Sequence, residues 1–129
     1  MMNIKHLQMM VVLLNELQAE IDRGVMNPEK FSLGHWETEK DDCGTVACAV
    51  GYAMRDPDFI ACGLSARNMS PIYINDVGTE YLSWYAVEKF FDICEFDTYH
   101  LFHSASYKGN VRPEDVSARL TEFIENGGY

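Results

Sequence analysis

The sequence predicts an all-α fold, a compact single domain of about five helices with at most one short β segment. Three observations lead there. Apolar residues recur at three- and four-residue steps in several separate segments. The stretches between them are short and carry glycine, proline and asparagine turn signals. The 129-residue chain is 47% hydrophobic and 12% aromatic, which is enough to build one core without disulfides or a structural metal. No internal repeat, low-complexity run or interdomain linker interrupts it, so residues 1–129 read as one helical domain.

The first helix is expected from about Asn3 to Arg23. Ile4, Leu7, Val11, Leu14, Leu17 or Gln18, and Ile21 share one face, and Lys5, Glu16, Glu20 and Arg23 share the other. Gly24 follows as a natural C′ residue. Val25 to Asp42 reads as a connection: Asn27-Pro28 is a turn, Phe31, Leu33 and Trp36 alternate with polar residues, and Glu37 to Asp42 looks like an exposed charged loop. A second helix is expected from Cys43–Thr45 to about Arg55. Asp41, Asp42 or Thr45 would cap it, Gly44, Ala47, Cys48, Ala49, Gly51 and Ala53 would let a neighbour approach closely, and Asp56-Pro57 would end it.

Between Pro57 and Glu80 the pattern is ambiguous. Phe59 to Cys62 fits one helical turn before Gly63, and Pro71 to Ile74 fits a short strand whose partner the sequence does not reveal. A third helix spans about Glu80 to Ile93, with Leu82, Tyr85 or Ala86, Phe90 and Ile93 on one face. A fourth spans about Phe96 to His103. The turn Lys108-Gly109-Asn110 precedes a fifth helix opened by Pro113, with Val116, Leu120, Phe123 and Ile124 as its apolar face and Asn126-Gly127-Gly128 as its stop.

Charge narrows the function. Twenty acidic against ten basic residues give a formal net charge of −10. Sequence-independent binding to DNA or RNA relies on Lys and Arg neutralising phosphates, and an anionic membrane surface selects for the same residues; direct contact with either is disfavoured. A basic protein partner suits the charge, and so does simple solubility. The apolar run Met9 to Leu14 leads directly into Asn15, Glu16, Glu20 and Asp22, which is an amphipathic helix and neither a signal peptide nor a membrane span. The cytoplasm is therefore the expected compartment. There Cys43, Cys48, Cys62 and Cys94, which lack disulfide-framework spacing, would stay reduced.

Asp42-Cys43-Gly44-Thr45-Val46-Ala47-Cys48 is the most unusual string. A cysteine at a helix N-terminus has its thiolate favoured by the dipole and becomes nucleophilic. The run resembles the nucleophile helix of the adenain-like and SUMO-processing cysteine proteases, and an Asp-Cys-Gly run also occurs in peptidases that trim bacteriocin leaders. The resemblance covers about a dozen residues. It implies Cys43 as nucleophile with a His as base. The adenain-like group places that His upstream on a strand and a Gln before the Cys; here only His6 and His35 lie upstream and no such Gln is present. The bacteriocin group places it downstream on a strand; here His100 and His103 fall in a helical pattern. His35 is the one nearby base candidate, so no complete catalytic set assembles and no catalytic residue is assigned. In the alternative reading Cys43 and Cys48 are small buried packing residues.

Metal and cofactor are not expected. His35, Cys43, Cys48 and Cys62 are zinc-ligand types, but their spacing matches no finger or ribbon. His100 and His103 at i, i+3 lack an accompanying carboxylate pattern. The free N–H groups expected at the second helix's start suit a phosphate, which raises a small-nucleotide sponge as a further alternative; Asp41 and Asp42 oppose it. Trp84 and Tyr85 are adjacent and cannot both face one side of a helix, so one is an exposed anchor candidate. Trp36, Thr45 and Trp84 are the expected binding residues.

A longer pattern runs from Phe31 onward: Phe31-x-Leu33-x-x-Trp36, the run Cys43 to Ala53, Gly63-Leu64, Phe90-Phe91, Leu101-Phe102, and Val116 through Ile124. It resembles a family of small uncharacterised phage and bacterial proteins with a Phe-x-Met-x-x-Trp box and a Cys-Gly-Thr-x-x-Cys-x-x-Gly box. Leu33 stands where the family usually has Met, and Tyr52 where His or Trp is common. The resemblance implies an origin and no mechanism: a phage accessory protein that acts on host machinery. The expected function is accordingly a non-catalytic acidic protein that binds and modulates a host protein, basic or nucleic-acid-binding. A Cys43-dependent hydrolase and the nucleotide sponge are the alternatives.

Overall fold

The computed structural model describes residues 2–33, 37–40 and 44–128, with the backbone alone for 37–40 and 44–47. Helix α1 spans Ile4–Asp22, with Asn3 as its N-cap accepting from the His6 N–H at 3.0 Å. Its C-cap is Arg23, and Gly24 follows at φ +74°, where a side chain would be strained. A 3₁₀ turn, Pro28–Lys30, leads to strand β1 (Glu37–Lys40), which pairs antiparallel with β2 (Gly44–Ala47). Two short helices follow, α2 (Ala49–Ala53) and α3 (Pro57–Ala61). Strands β3 (Leu64–Arg67), β4 (Ser70–Ile74) and β5 (Glu80–Leu82) form an antiparallel meander in that order. The chain ends in α4 (Ser83–Phe91), α5 (Glu95–Phe102), a 3₁₀ turn at Ser104–Ser106 and α6 (Pro113–Glu125).

The protein is mostly helical, as its periodicity predicts, but it is not all-α, and the expected single β segment is five strands among the described residues. Three expectations are corrected. Glu37 to Lys40, expected in a loop, forms β1. The helix expected from Cys43 begins only at Ala49, because Gly44–Ala47 pair with β1 instead; Gly44 and a β-branched pair, Thr45-Val46, weaken helix formation there. The helix expected from Glu80 begins at Ser83, because Glu80–Leu82 complete the sheet against Ile72–Ile74. The strand expected at Pro71–Ile74 is present, and its partners are β3 and β5.

One contiguous core joins these parts. Leu7, Met10, Leu14 and Leu17 of α1 are buried with Val116, Leu120 and Phe123 of α6. The two helices are also tied by the Ser117 hydroxyl donating to Asn15 Oδ1 at 2.7 Å and the Glu114 N–H donating to Gln18 Oε1 at 3.2 Å. The buried face of α1 is turned relative to the expected one: Ile4 is 47% exposed, and Met10 and Leu13 are inside. An aromatic chain crosses the core. Phe59 of α3 meets Phe90 at 5.7 Å, Phe90 meets Phe91 at 5.0 Å, and Phe91 stacks on Phe102 at 5.2 Å. Tyr73 of β4 meets Phe90 edge-on at 5.4 Å, which seats the meander on α4. On the other side His6 stacks on the same Phe90 ring at 4.0 Å, with its Nδ1 2.7 Å from the Phe90 carbonyl. Phe90 thus fixes α4 against α1, α3 and the sheet.

Candidate functional site: an aromatic and acidic pocket between α4 and α5

Helix α4 ends because Asp92 adopts the left-handed conformation (φ 52°), with the Ile93 N–H returning to the Glu88 carbonyl at 3.0 Å. Two residues later Cys94 caps α5, its Sγ accepting from the Asp97 N–H at 3.5 Å. This tight corner sets two helical faces beside each other. Trp84 and Glu88, one turn apart, come from α4. Glu95 and Tyr99, again one turn apart, come from α5, and His103 continues the same row at its C-cap. Together with Thr98 they line a pocket of about 260 Å³.

The pocket has an aromatic wall. His103 stacks between two rings, with Tyr99 at 4.4 Å and 18° and Trp84 at 5.7 Å and 27°. The imidazole is oriented by the Ala105 N–H, which donates to its Nδ1 at 3.1 Å and leaves Nε2 to carry the proton of the neutral ring. Thr98, 2% exposed, donates its hydroxyl to the Cys94 carbonyl at 2.9 Å and is satisfied within its own helix. Glu88 and Glu95 supply the acidic part. Burial pushes the Glu88 carboxyl above the ordinary carboxylate range, the Glu95 charge adds to the effect, and Lys89 opposes it. Lys89 does not line the pocket; its ammonium lies over the Tyr85 and Tyr81 rings at 5.1 and 5.7 Å.

Chemically this lining offers π faces and carboxylate acceptors and no Lys or Arg. It suits a cation with an apolar stem. Two other grooves are mixed in sign. One of about 310 Å³ between α1 and α3 sets Lys5 against Glu16, Asp56 and Asp58. Another, of about 530 Å³, has both Glu29 and Arg112 on its wall.

Of the residues singled out from sequence, Trp84 lies in this pocket, and its neighbour Tyr85 is the more exposed of the two, at 52%. Thr45 sits in β2 opposite Glu39. Trp36, His35 and Cys43 lie outside the described residues. The helix-dipole argument for a reactive Cys43 lapses, because β2 separates that position from α2. Cys48 occupies the N-cap instead, 3% exposed, its Sγ accepting from the Gly51 N–H at 3.3 Å; this is the packing role. The same contact weakens the sponge alternative, since it occupies an N–H of a helix only five residues long. His100 and His103 diverge. The His100 imidazole is held below its ordinary pKa by burial and by Arg119, whose guanidinium also donates to the His100 carbonyl at 2.8 Å, whereas His103 belongs to the aromatic wall. Among the described residues no group of His, Cys, Asp and Glu is arranged to hold a metal, and no helix is long and apolar enough to cross a membrane.

Sequence reasoning missed Glu88, Glu95 and Tyr99, and weighed His103 only as a base or metal ligand. The available signal was the i, i+4 spacing of Trp84 with Glu88 and of Glu95, Tyr99 and His103. It becomes a site only because the corner at Asp92–Cys94 brings the two rows together. No family model, curated protein or solved structure matches this chain.

Proposed function

We propose that this chain is a non-catalytic acidic interaction protein that binds and modulates a basic host protein, with the α4–α5 face as the contact surface. The observation that carries this reading is the pocket itself: three stacked aromatic side chains beside two carboxylates, with no Lys or Arg in the lining. On the same helices, and at the N-cap of α4, Phe96, Tyr85 and Leu82 are exposed at 71%, 52% and 56%, the kind of apolar side chain that anchors protein interfaces. The net charge of −10 would steer a basic partner toward the surface from a distance. The phage-type boxes in the sequence favour a phage accessory protein working in the host cytoplasm, where the partner would be basic or itself bind nucleic acid.

A quantitative pull-down from bacterial host lysate, at low and high salt, tests the reading with wild type and a Cys43→Ser variant. The expected result is one stoichiometric basic protein held by both forms and released as salt rises. No partner at low salt, or a partner trapped only by the serine variant, would overturn it and return the weight to chemistry at Cys43.

A further inference from the structure

We propose that the α4–α5 pocket receives a single arginine side chain from the protein partner. The inference rests on the interaction reading above and names the group that the site would recognise. Its basis is the order of the lining along the two helices. Trp84, Tyr99 and His103 form one end and Glu88 with Glu95 the other, because each helix carries its aromatic and its acid one turn apart. On α4 the aromatic precedes the acid and on α5 it follows, and the helices reverse direction at the corner, so like groups meet.

An arginine matches this division. Its methylene stem and planar guanidinium lie flat on aromatic faces, and its fork of N–H donors reaches carboxylates. The acceptors are there to be met. The Thr98 hydroxyl is already used within α5, Lys89 is drawn over Tyr81 and Tyr85, and the Glu88 and Glu95 carboxylates repel one another. A guanidinium between them would relieve that repulsion. A volume of about 260 Å³ admits one such side chain and not a folded element. A lysine ammonium would meet the carboxylates but would lose the flat stacking.

The test is an NMR titration of the full chain with the blocked peptide acetyl-Gly-Arg-Gly-amide, with the citrulline and lysine peptides in parallel. The arginine peptide should shift the Trp84 indole N–H and the amides of Glu88, Glu95 and Tyr99, saturating in the millimolar range. Citrulline keeps the shape and removes the charge, and should bind about tenfold more weakly or worse. The isosteric double variant Glu88→Gln/Glu95→Gln should weaken the arginine peptide about tenfold, and Tyr99→Ala, at an exposed position, about threefold. Unmoved signals, equal binding of citrulline, equal binding of lysine, or a double variant that binds like wild type would each overturn the assignment. The titration needs no partner protein, so its failure is distinct from that of the pull-down. A basic partner held equally by wild type and the double glutamine variant would leave the interaction reading standing and remove this pocket from it.

Discussion

Gly63 joins α3 to β3 at φ +101°, and its carbonyl accepts the Ile74 N–H at 3.0 Å, so the backbone of β4 runs directly against it. A Cβ at this position would be driven into the Ile74 carbonyl. Gly63→Ala should therefore cost about 2–3 kcal/mol, from strain and steric conflict together, measurable by urea denaturation. Tyr52 has a different constraint. Its hydroxyl donates to the Lys30 carbonyl at 2.8 Å, and burial, with Glu20 and Cys48 adding to it, raises its pKa to about 12. The fold favours the protonated phenol, so its contribution to stability is complete below the ordinary tyrosine pKa of about 10 and is lost as pH rises toward 12. Tyr52→Phe should cost about 1 kcal/mol near neutral pH and remove a late-titrating tyrosine from an ultraviolet titration. Glu88 follows the same sign. Its raised pKa means that the fold disfavours its charge, so stability falls as pH rises through its titration. Glu88→Gln should raise the melting temperature near neutral pH, and the gain should vanish in acid, where wild-type Glu88 is already protonated.

The β3–β4 hairpin shows how local backbone preference and element geometry meet. Arg67 pairs with Ser70, so Asn68 and Met69 alone make the turn, both at positive φ (53° and 65°). That is the two-residue turn that suits the twist of a hairpin and favours Asn-Gly. Asn68 fits it, and Met69 does not. Met69→Gly should stabilise the protein by about 0.5–1 kcal/mol, read as an increased denaturation midpoint with unchanged slope. The exposed Arg67–Glu80 pair at 3.1 Å contributes little by comparison, with both side chains at least half exposed. The β4–β5 connection is better matched to its sequence: Asn75 Oδ1 accepts from the Val77 and Thr79 N–H groups at 3.1 and 2.8 Å. At the α4–α5 corner Asp92 tolerates the left-handed conformation as glycine would, and it ends α4 there.

Over the whole molecule the first and last long helices, α1 and α6, pack together, while α4 is held at Phe90 from three sides. Leu14 is fully buried in that core, and Leu14→Ala should cost about 2–5 kcal/mol by differential scanning calorimetry or denaturant unfolding. What the sequence determined without further help is what depends on neighbours along the chain. The bounds of α1 and α6 follow from 3.6-residue periodicity, an Asn3 cap, Gly24 after the last turn and Pro113 at the first. Phe59 to Cys62 and Pro71 to Ile74 were legible for the same reason, as short segments between breakers. What only the tertiary structure decided depends on partners distant in sequence. Gly44–Ala47 satisfy their backbone groups with Glu37–Lys40 in preference to a helix, and Glu80–Leu82 do so with β4, which no periodicity within either segment could indicate. The turn of α1 that buries Met10 and Leu13 in place of Ile4 was set by the helices packed against it. The pocket of Trp84, Glu88, Glu95, Tyr99 and His103 belongs to the same class: each row is visible as a spacing, but a binding surface arises only when a hydrogen-bonded corner and the burial of Phe90, Phe91 and Phe102 hold two helices in one arrangement.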